Sequence, residues 1–246
     1  GVDPEDIKLV MHGTTVATNA VLTGNGAKVG LLTTHGYESV LQVARSFCPG
    51  GLGGWVSFVK GPLLAPLELT YVVKERTDAS GEISVELDEG HLREQLSSLK
   101  AKGEVEALTI SFVNSYINNS NEVAAAKIAA EIFTDIPISI SSEVIPEMQE
   151  YERAETTVLN SYVRPQVSNY VNNLQANLEK SLGGDVQLSI LRSDGGLASS
   201  RATGDSPVNH LMSGPAGGVA GAIHFCNQAG YENILTFDMG GTSTDV

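Results

Sequence analysis

The sequence predicts an α/β fold interrupted by one inserted hairpin and loop region. Two observations carry this. Between Val105 and Ile140 an apolar run, an Ala-rich stretch with helical spacing and a second apolar run follow one another, the spacing of a parallel strand–helix–strand crossover. The apolar run Ile234–Phe237 then reads as a buried strand that stops at Asp238, with two glycines and a run of hydroxyl residues behind it. At 246 residues, 41% of them hydrophobic, the chain can bury the core such a fold needs, as one large domain or two small ones.

Taken in order, Ile7–Met11 is a short strand that runs into His12-Gly13-Thr14-Thr15, and Val16–Leu22 is a helix that ends at Gly24. The unpaired N–H groups of that first turn make an anion- or carbonyl-binding corner. Ala27–Thr33 is a buried strand, and Gly36–Leu41 begins a short helix. From Phe47 to Pro66 glycines and prolines break the pattern into a loop, with Trp55 expected to pack against its own domain or to line a pocket. Leu69–Thr77 and Glu82–Leu87 flank Asp78-Ala79-Ser80-Gly81, a hairpin signal. Asp88 caps a helix over Glu89–Lys100 whose Leu92, Leu96 and Leu99 share one face. Val105–Val113 is a strand, Ser120 or Asn121 caps the helix to Phe133, and Ile136–Ile140 is the next strand.

Beyond Pro146 two helices are expected, Glu147–Tyr162 and Arg164–Leu182, joined at Arg164-Pro165. Val186–Leu191 is a strand with a polar exit at Arg192-Ser193-Asp194-Gly195-Gly196. Ser213 stands at an N-cap and Pro215 near the first helical position of a small-residue helix that stops by Gly230; such a helix can approach another backbone closely. The segment after it, Asp238 to Thr244, has the outline of a phosphate loop. Glycines leave N–H groups unshielded for an anionic oxygen, and an acid at a strand end can hold a divalent cation through water. The competing reading is a tight hairpin that merely contains two glycines.

The net charge of −14 and the lack of a basic run exclude nucleic acid or an anionic membrane as the main partner. No apolar stretch is long enough for a membrane span, and no leader is visible, so a cytoplasmic location is expected. Cys48 and Cys226 are far apart without metal-ligand spacing and read as free thiols.

Four blocks carry a resemblance: HGTTVATNA at 12–20, EYERAETTVLNSYVRP at 150–165, SGPAGGVAGA at 213–222 and FDMGGTSTDV at 237–246. Together they resemble, in order, the hydantoinase A/oxoprolinase branch of the actin-like ATPase superfamily (ribonuclease H-like fold), which implies a mixed sheet flanked by helices. The resemblance implies residues 1–141 as an N-terminal hydantoinase/oxoprolinase-type α/β region, with an excursion at about 47–88, and 142–246 as the start of the ATPase region, ending at the second phosphate loop. It implies ATP with Mg²⁺ (or Mn²⁺), and an enzyme that activates a cyclic amide or imide carbonyl, of the hydantoin or 5-oxoproline type, by phosphorylation before ring opening. The first phosphate loop is expected upstream of Gly1 and the adenosine-binding portion downstream, so that these residues alone bind ATP poorly.

By the same resemblance Asp238 is the metal residue, and Gly240, Gly241, Thr242 and Ser243, with Gly217 and Gly218, are the nucleotide-binding set. His12, Thr14, Thr15 and Asn19, with Asp238, are the catalytic candidates, and the 12–19 corner is the place of the small carbonyl or amide substrate. His12 can be a proton donor or a hydrogen-bonded histidine ending a strand, and the Asn19 amide can face the site or fold onto its own backbone. Asp245 is either a second acid of the site or a buried or capping acid. Arg153 and Glu143 either brace the cleft or belong to a solvated charged helix. At 194 the family has an asparagine where this chain has Asp194. A hydantoinase B-like partner subunit or domain and a homo-oligomer are implied. Two rivals stay open: the ATP-binding subunit of an acetone- or acetophenone-type carboxylase, and an actin-like switch acting on a protein.

Overall fold

In the computed structural model the described residues are 3–182, 186–239 and 244–246. They form two compact units, Gly1–Gly26 with Gln166–Val246, and Ala27–Pro165.

In chain order, β1 (Leu9–His12) leads through Gly13 into α1 (Val16–Thr23), which ends on Gly24 at φ +69, a left-handed cap that glycine takes without a Cβ penalty. β2 (Val29–Thr34) is buried along its whole length. Two short helices follow, α2 (Val40–Val43) and α3 (Gly51–Ser57). β3 (Thr70–Val73), β4 (Arg76–Thr77) and β5 (Ile83–Val85) come next, and β4 and β5 close a hairpin. At its tip Asp78 Oδ1 accepts from the N–H of Ser80 and of Glu82, and Gly81 takes φ +88, as the turn residues require.

α4 (Glu89–Ala101) is capped by Asp88, whose carboxylate accepts from His91 N at 2.9 Å. β6 (Ala107–Ser111), α5 (Ser120–Ile132) and β7 (Ile138–Ile140) form the expected crossover, with β6 and β7 parallel. The cap of α5 differs from expectation. Asn119 holds the N-cap position, and Asn118 supplies the side-chain acceptor for Ser120 N, which leaves Asn121 buried and bonded to Glu75.

The sheet of the second unit runs β3-β2-β6-β7 and is parallel throughout, with α4 and α5 packed together against it. Leu92, Leu96 and Leu99 meet Leu32, Leu108 and Ile110 in one core; each such side chain contributes about 1.5–3 kcal/mol. Parallel strands covered on both faces need near-continuous apolar sequence, which is what β2 and β6 supply.

After α6 (Ser141–Val144) comes α7 (Glu150–Leu182), one helix where two were expected. Pro165 lies inside it. A proline there forfeits one backbone bond and crowds the preceding turn, a cost of about 3 kcal/mol. Val158, Val163, Val167 and Val171 are fully buried on either side, and at about 1.5–3 kcal/mol each they outweigh the defect. The start of α7 is also not simply solvated. Arg153 is buried and donates to Ser115, Ser141, Glu150 and the Phe112 carbonyl, with Glu122 at 3.6 Å, whereas Glu143 is exposed. Arg153 therefore ties the core of its own unit.

The loop expected from Phe47 to Pro66 contains a helix, and of the two readings of Trp55 the second holds. Residues 51–57 are helical, and Trp55 is 69% exposed; it does not pack inward but lines a cavity of about 310 Å³ with Phe47, Cys48 and Phe58.

The other unit is completed by β8 (Gln187–Leu191), β9 (Leu197–Ser199), α8 (Ser200–Asp205), α9 (Ser213–Gln228), β10 (Asp238–Met239) and β11 (Thr244–Asp245). β1 and β8 pair in parallel and β8 and β9 antiparallel, so this sheet is mixed. Ile234–Phe237, expected as a buried strand, is neither: Leu235 is 85% and Phe237 63% exposed, and the strand begins only at Asp238. An apolar run becomes a strand where a sheet edge offers it backbone partners, and among the described residues none lies beside 234–237. Both cysteines are free.

Candidate functional site

The site is built on the unit that contains β1, α1 and α9. β1 delivers His12 at its end, and His12 Nε2 lies 2.7 Å from the hydroxyl of Tyr170 on α7. Thr14 is buried, and its hydroxyl accepts from Val16 N at 3.2 Å, which turns the chain into α1. Thr15 is the N-cap of α1, and Asn19, one turn on, donates its amide to Thr15 Oγ1 at 3.3 Å. Asn19 thus turns toward the corner and binds a neighbouring side chain there.

α9 begins against this corner. Ser213, expected as its N-cap, is instead its first residue, because Met212 takes the cap position in the left-handed region at φ +63. This frees the Ser213 hydroxyl to donate to the Thr14 carbonyl at 3.0 Å, while Met212 N donates to Thr18 Oγ1 at 3.2 Å. The glycines of α9 explain the close approach. A Cβ on Gly214 would stand 3.0 Å from Thr15 Cγ2, one on Gly217 would stand 2.6 Å from Leu191 Cδ2, and one on Gly218 would stand 3.7 Å from Asp238 Oδ2. Positions 214 and 218 are about 6 Å apart along a helix. One turn of α9 therefore lies beside both the His12–Asn19 corner and Asp238.

Beside that turn lies a cavity of about 610 Å³, lined by Pro215, Gly218, Val219, Phe237 and Asp238 among others. Asp238 is exposed and opens β10, which pairs antiparallel with β11 so that Asp238 and Asp245 are opposite in register. Gly240, Gly241, Thr242 and Ser243 lie outside the described residues, as does the Asp245 side chain. Among the described residues no three His, Cys, Asp or Glu side chains converge.

At the end of β8, Ser193 is bonded to the Asn209 carbonyl at 2.9 Å. Asp194 accepts from Gly196 N at 2.9 Å and pairs with Arg192 at 2.9 Å. An asparagine there could keep the first of these bonds but not the ion pair. His210 is buried with Nδ1 2.8 Å from the Leu191 carbonyl; burial pushes its pKa below the usual 6.5, although that bond opposes the shift. Sequence reasoning missed Tyr170 and His210. Tyr170 is 158 residues from His12, and no local pattern announces such a pair. Among the described residues no helix is long and apolar enough to cross a membrane.

Comparison with known proteins matches this architecture. Residues 1–133 match the hydantoinase/oxoprolinase N-terminal region and residues 153–246 the hydantoinase/oxoprolinase region that follows it. The chain is 32% identical over 241 residues to caprolactamase subunit alpha of Pseudomonas jessenii, covering 98% of this chain and 34% of that one. It is 29% identical over 270 residues to 5-oxoprolinase of Saccharomyces cerevisiae, covering 100% of this chain and 20% of that one. The structure of nucleotide-free acetone carboxylase superposes with a TM-score of 0.86 at 28% identity, over 95% of this chain and 34% of that one. The chain thus spans about a third, or less, of the length of these relatives. It has the α/β fold of these enzymes, the actin-like ATPase architecture that the four motifs imply, and it belongs to the hydantoinase/oxoprolinase family.

Proposed function

We propose that this chain is the part of an ATP-dependent enzyme that brings a small cyclic amide or imide, of the hydantoin, lactam or 5-oxoproline type, to the phosphate end of a nucleotide in the cytoplasm. The observation that carries this is the single turn of α9 that touches Thr15 at Gly214 and leaves a gap beside Asp238 at Gly218. A Cβ-free helix face next to an exposed carboxylate and an open cavity fits a triphosphate with its cation. Asp238 would hold Mg²⁺ or Mn²⁺ through water, Gly218 would leave room for the phosphates, and Gly240, Gly241, Thr242 and Ser243 would donate N–H and hydroxyl groups to them, whereas Gly217, expected in the same set, is taken up by packing against Leu191.

When bound, MgATP supplies the phosphoryl group that converts an unreactive amide oxygen into a leaving group for water. The chain's own residues position. His12, Thr14, Thr15 and Asn19 would hold the carbonyl compound at the first turn of α1, where unpaired N–H groups favour an oxygen ligand. A partner subunit is part of the proposal, since the related caprolactamase chain is named as a subunit.

A carboxylase-type activity is the second reading, favoured by the superposition on acetone carboxylase. Phosphate release by the full-length polypeptide with its partner separates the two: stimulation by hydantoins, lactams or 5-oxoproline supports the first, and stimulation only by ketones with bicarbonate supports the second. Asp238→Asn is expected to reduce turnover by at least about a hundredfold through lost metal positioning. Wild-type ATPase in that variant would remove Asp238 from the site.

A further inference from the structure

We propose that Tyr170 fixes His12 as its Nδ1–H tautomer, so that His12 meets the substrate as a neutral hydrogen-bond donor to a carbonyl oxygen and not as a base. The role at the substrate rests on the function proposed above; the tautomer does not.

The His12 Nε2 to Tyr170 oxygen distance is 2.7 Å, and the two rings are tilted by 35° with centroids 6.0 Å apart. Either atom could in principle carry the shared proton. A phenol is a stronger acid than a neutral imidazole N–H, and an imidazole nitrogen with its lone pair is a stronger base than a phenol oxygen, so O–H donating to N is the favoured sense.

With Nε2 accepting, the ring's proton must sit on Nδ1. Among the described residues Nδ1 has no hydrogen-bond partner. It is therefore open to a ligand or to water, and the carbonyl oxygen of the proposed substrate is the ligand that would suit it. An N–H donor suits a carbonyl oxygen, because a hydrogen bond to that oxygen polarises the group.

His210 provides an internal reference. Its Nδ1 faces the Leu191 carbonyl, which can only accept, so His210 must also carry its proton on Nδ1 when neutral. The experiment is ring-¹⁵N histidine NMR on the chain at a pH where the imidazoles are neutral, with His12 assigned by His12→Asn, followed by the same spectrum for Tyr170→Phe. The expected result is an Nδ1–H signature for both His12 and His210 in the wild type. In Tyr170→Phe that of His12 alone should move toward Nε2–H, and the unchanged His210 signal would show that the unit remains folded. In the full-length enzyme the same variant should lower kcat/KM for the carbonyl substrate roughly tenfold, the value of one neutral hydrogen bond, with KM for ATP unchanged.

An Nε2–H signature for His12 in the wild type, or no change on Tyr170→Phe, would overturn the tautomer assignment. A shifted tautomer with full activity on the enzyme's substrate would overturn the donor role. Absence of any cyclic-amide turnover in the wild type would count against the proposed function instead, and would leave the NMR result to stand or fall alone.

Discussion

Gly217 of α9 faces Leu191 at the end of β8 so closely that a methyl group at 217 would lie 2.6 Å from Leu191 Cδ2. The small-residue character of α9 is therefore a packing requirement at particular positions and not a uniform one. At Gly221 a Cβ would meet nothing within 4 Å. Gly221→Ala should stabilise the protein by up to about 1 kcal/mol, the ordinary helix-propensity gain. At 217 the same gain is opposed by an overpacking cost of about 1–3 kcal/mol. Gly217→Ala should thus be neutral to destabilising, and urea unfolding of the two variants side by side gives the comparison.

Arg153 and Glu122 are both fully buried, and Glu122 also receives hydrogen bonds from Phe112 N, Ser115, Ser141 and Ser142 N. Replacing the guanidinium by an apolar side chain strands the carboxylate. Arg153→Met should cost about 3–5 kcal/mol, and adding Glu122→Gln to it should recover part of that loss because no buried charge is then left alone. A double-mutant cycle measured by denaturant unfolding reads the coupling. Strict additivity of the two changes would mean that the serines and backbone groups, not the arginine, hold Glu122.

His210 predicts a pH dependence. Burial lowers its pKa in the folded state below the unfolded value of 6.5. Between those two values the unfolded chain binds a proton that the folded chain does not, so stability falls as pH drops below about 6.5 and levels off once both states are protonated. Above 6.5 the residue contributes no slope. His210→Gln, which can still donate to the Leu191 carbonyl, should flatten that part of the stability profile while leaving the neutral-pH value within about 1 kcal/mol. Thermal melts from pH 7.5 down to pH 5 test it.

The sequence carries the elements whose cause is local. Asp88 before an apolar face at Leu92, Leu96 and Leu99 announced a capped helix, Asp78 to Gly81 announced a turn, and the strand–helix–strand spacing from 105 to 140 announced parallel pairing. What was not legible is decided by partners far along the chain. Pro165 reads as a break until the buried valines on either side of it are known. Trp55 reads either as packed or as a pocket wall, a choice its sequence neighbours do not make, and Ile234–Phe237 reads as a strand although nothing described pairs with it. At the site, the blocks at 12–20 and 213–222 could be picked out, but not that the Ser213 hydroxyl closes on the Thr14 carbonyl across 199 residues, nor that Tyr170 meets His12.

The mixed sheet carries a consequence for biosynthesis. β1 pairs in parallel with β8, while the second unit, Ala27–Pro165, is one unbroken stretch. As the chain leaves the ribosome, that stretch can complete its long-range contacts first. Residues 9–12 must meanwhile wait as a nascent, unmatched edge until residues 187–190 have been translated. A slowdown of elongation before that point would prolong the interval in which β1 is open to pairing with the wrong chain.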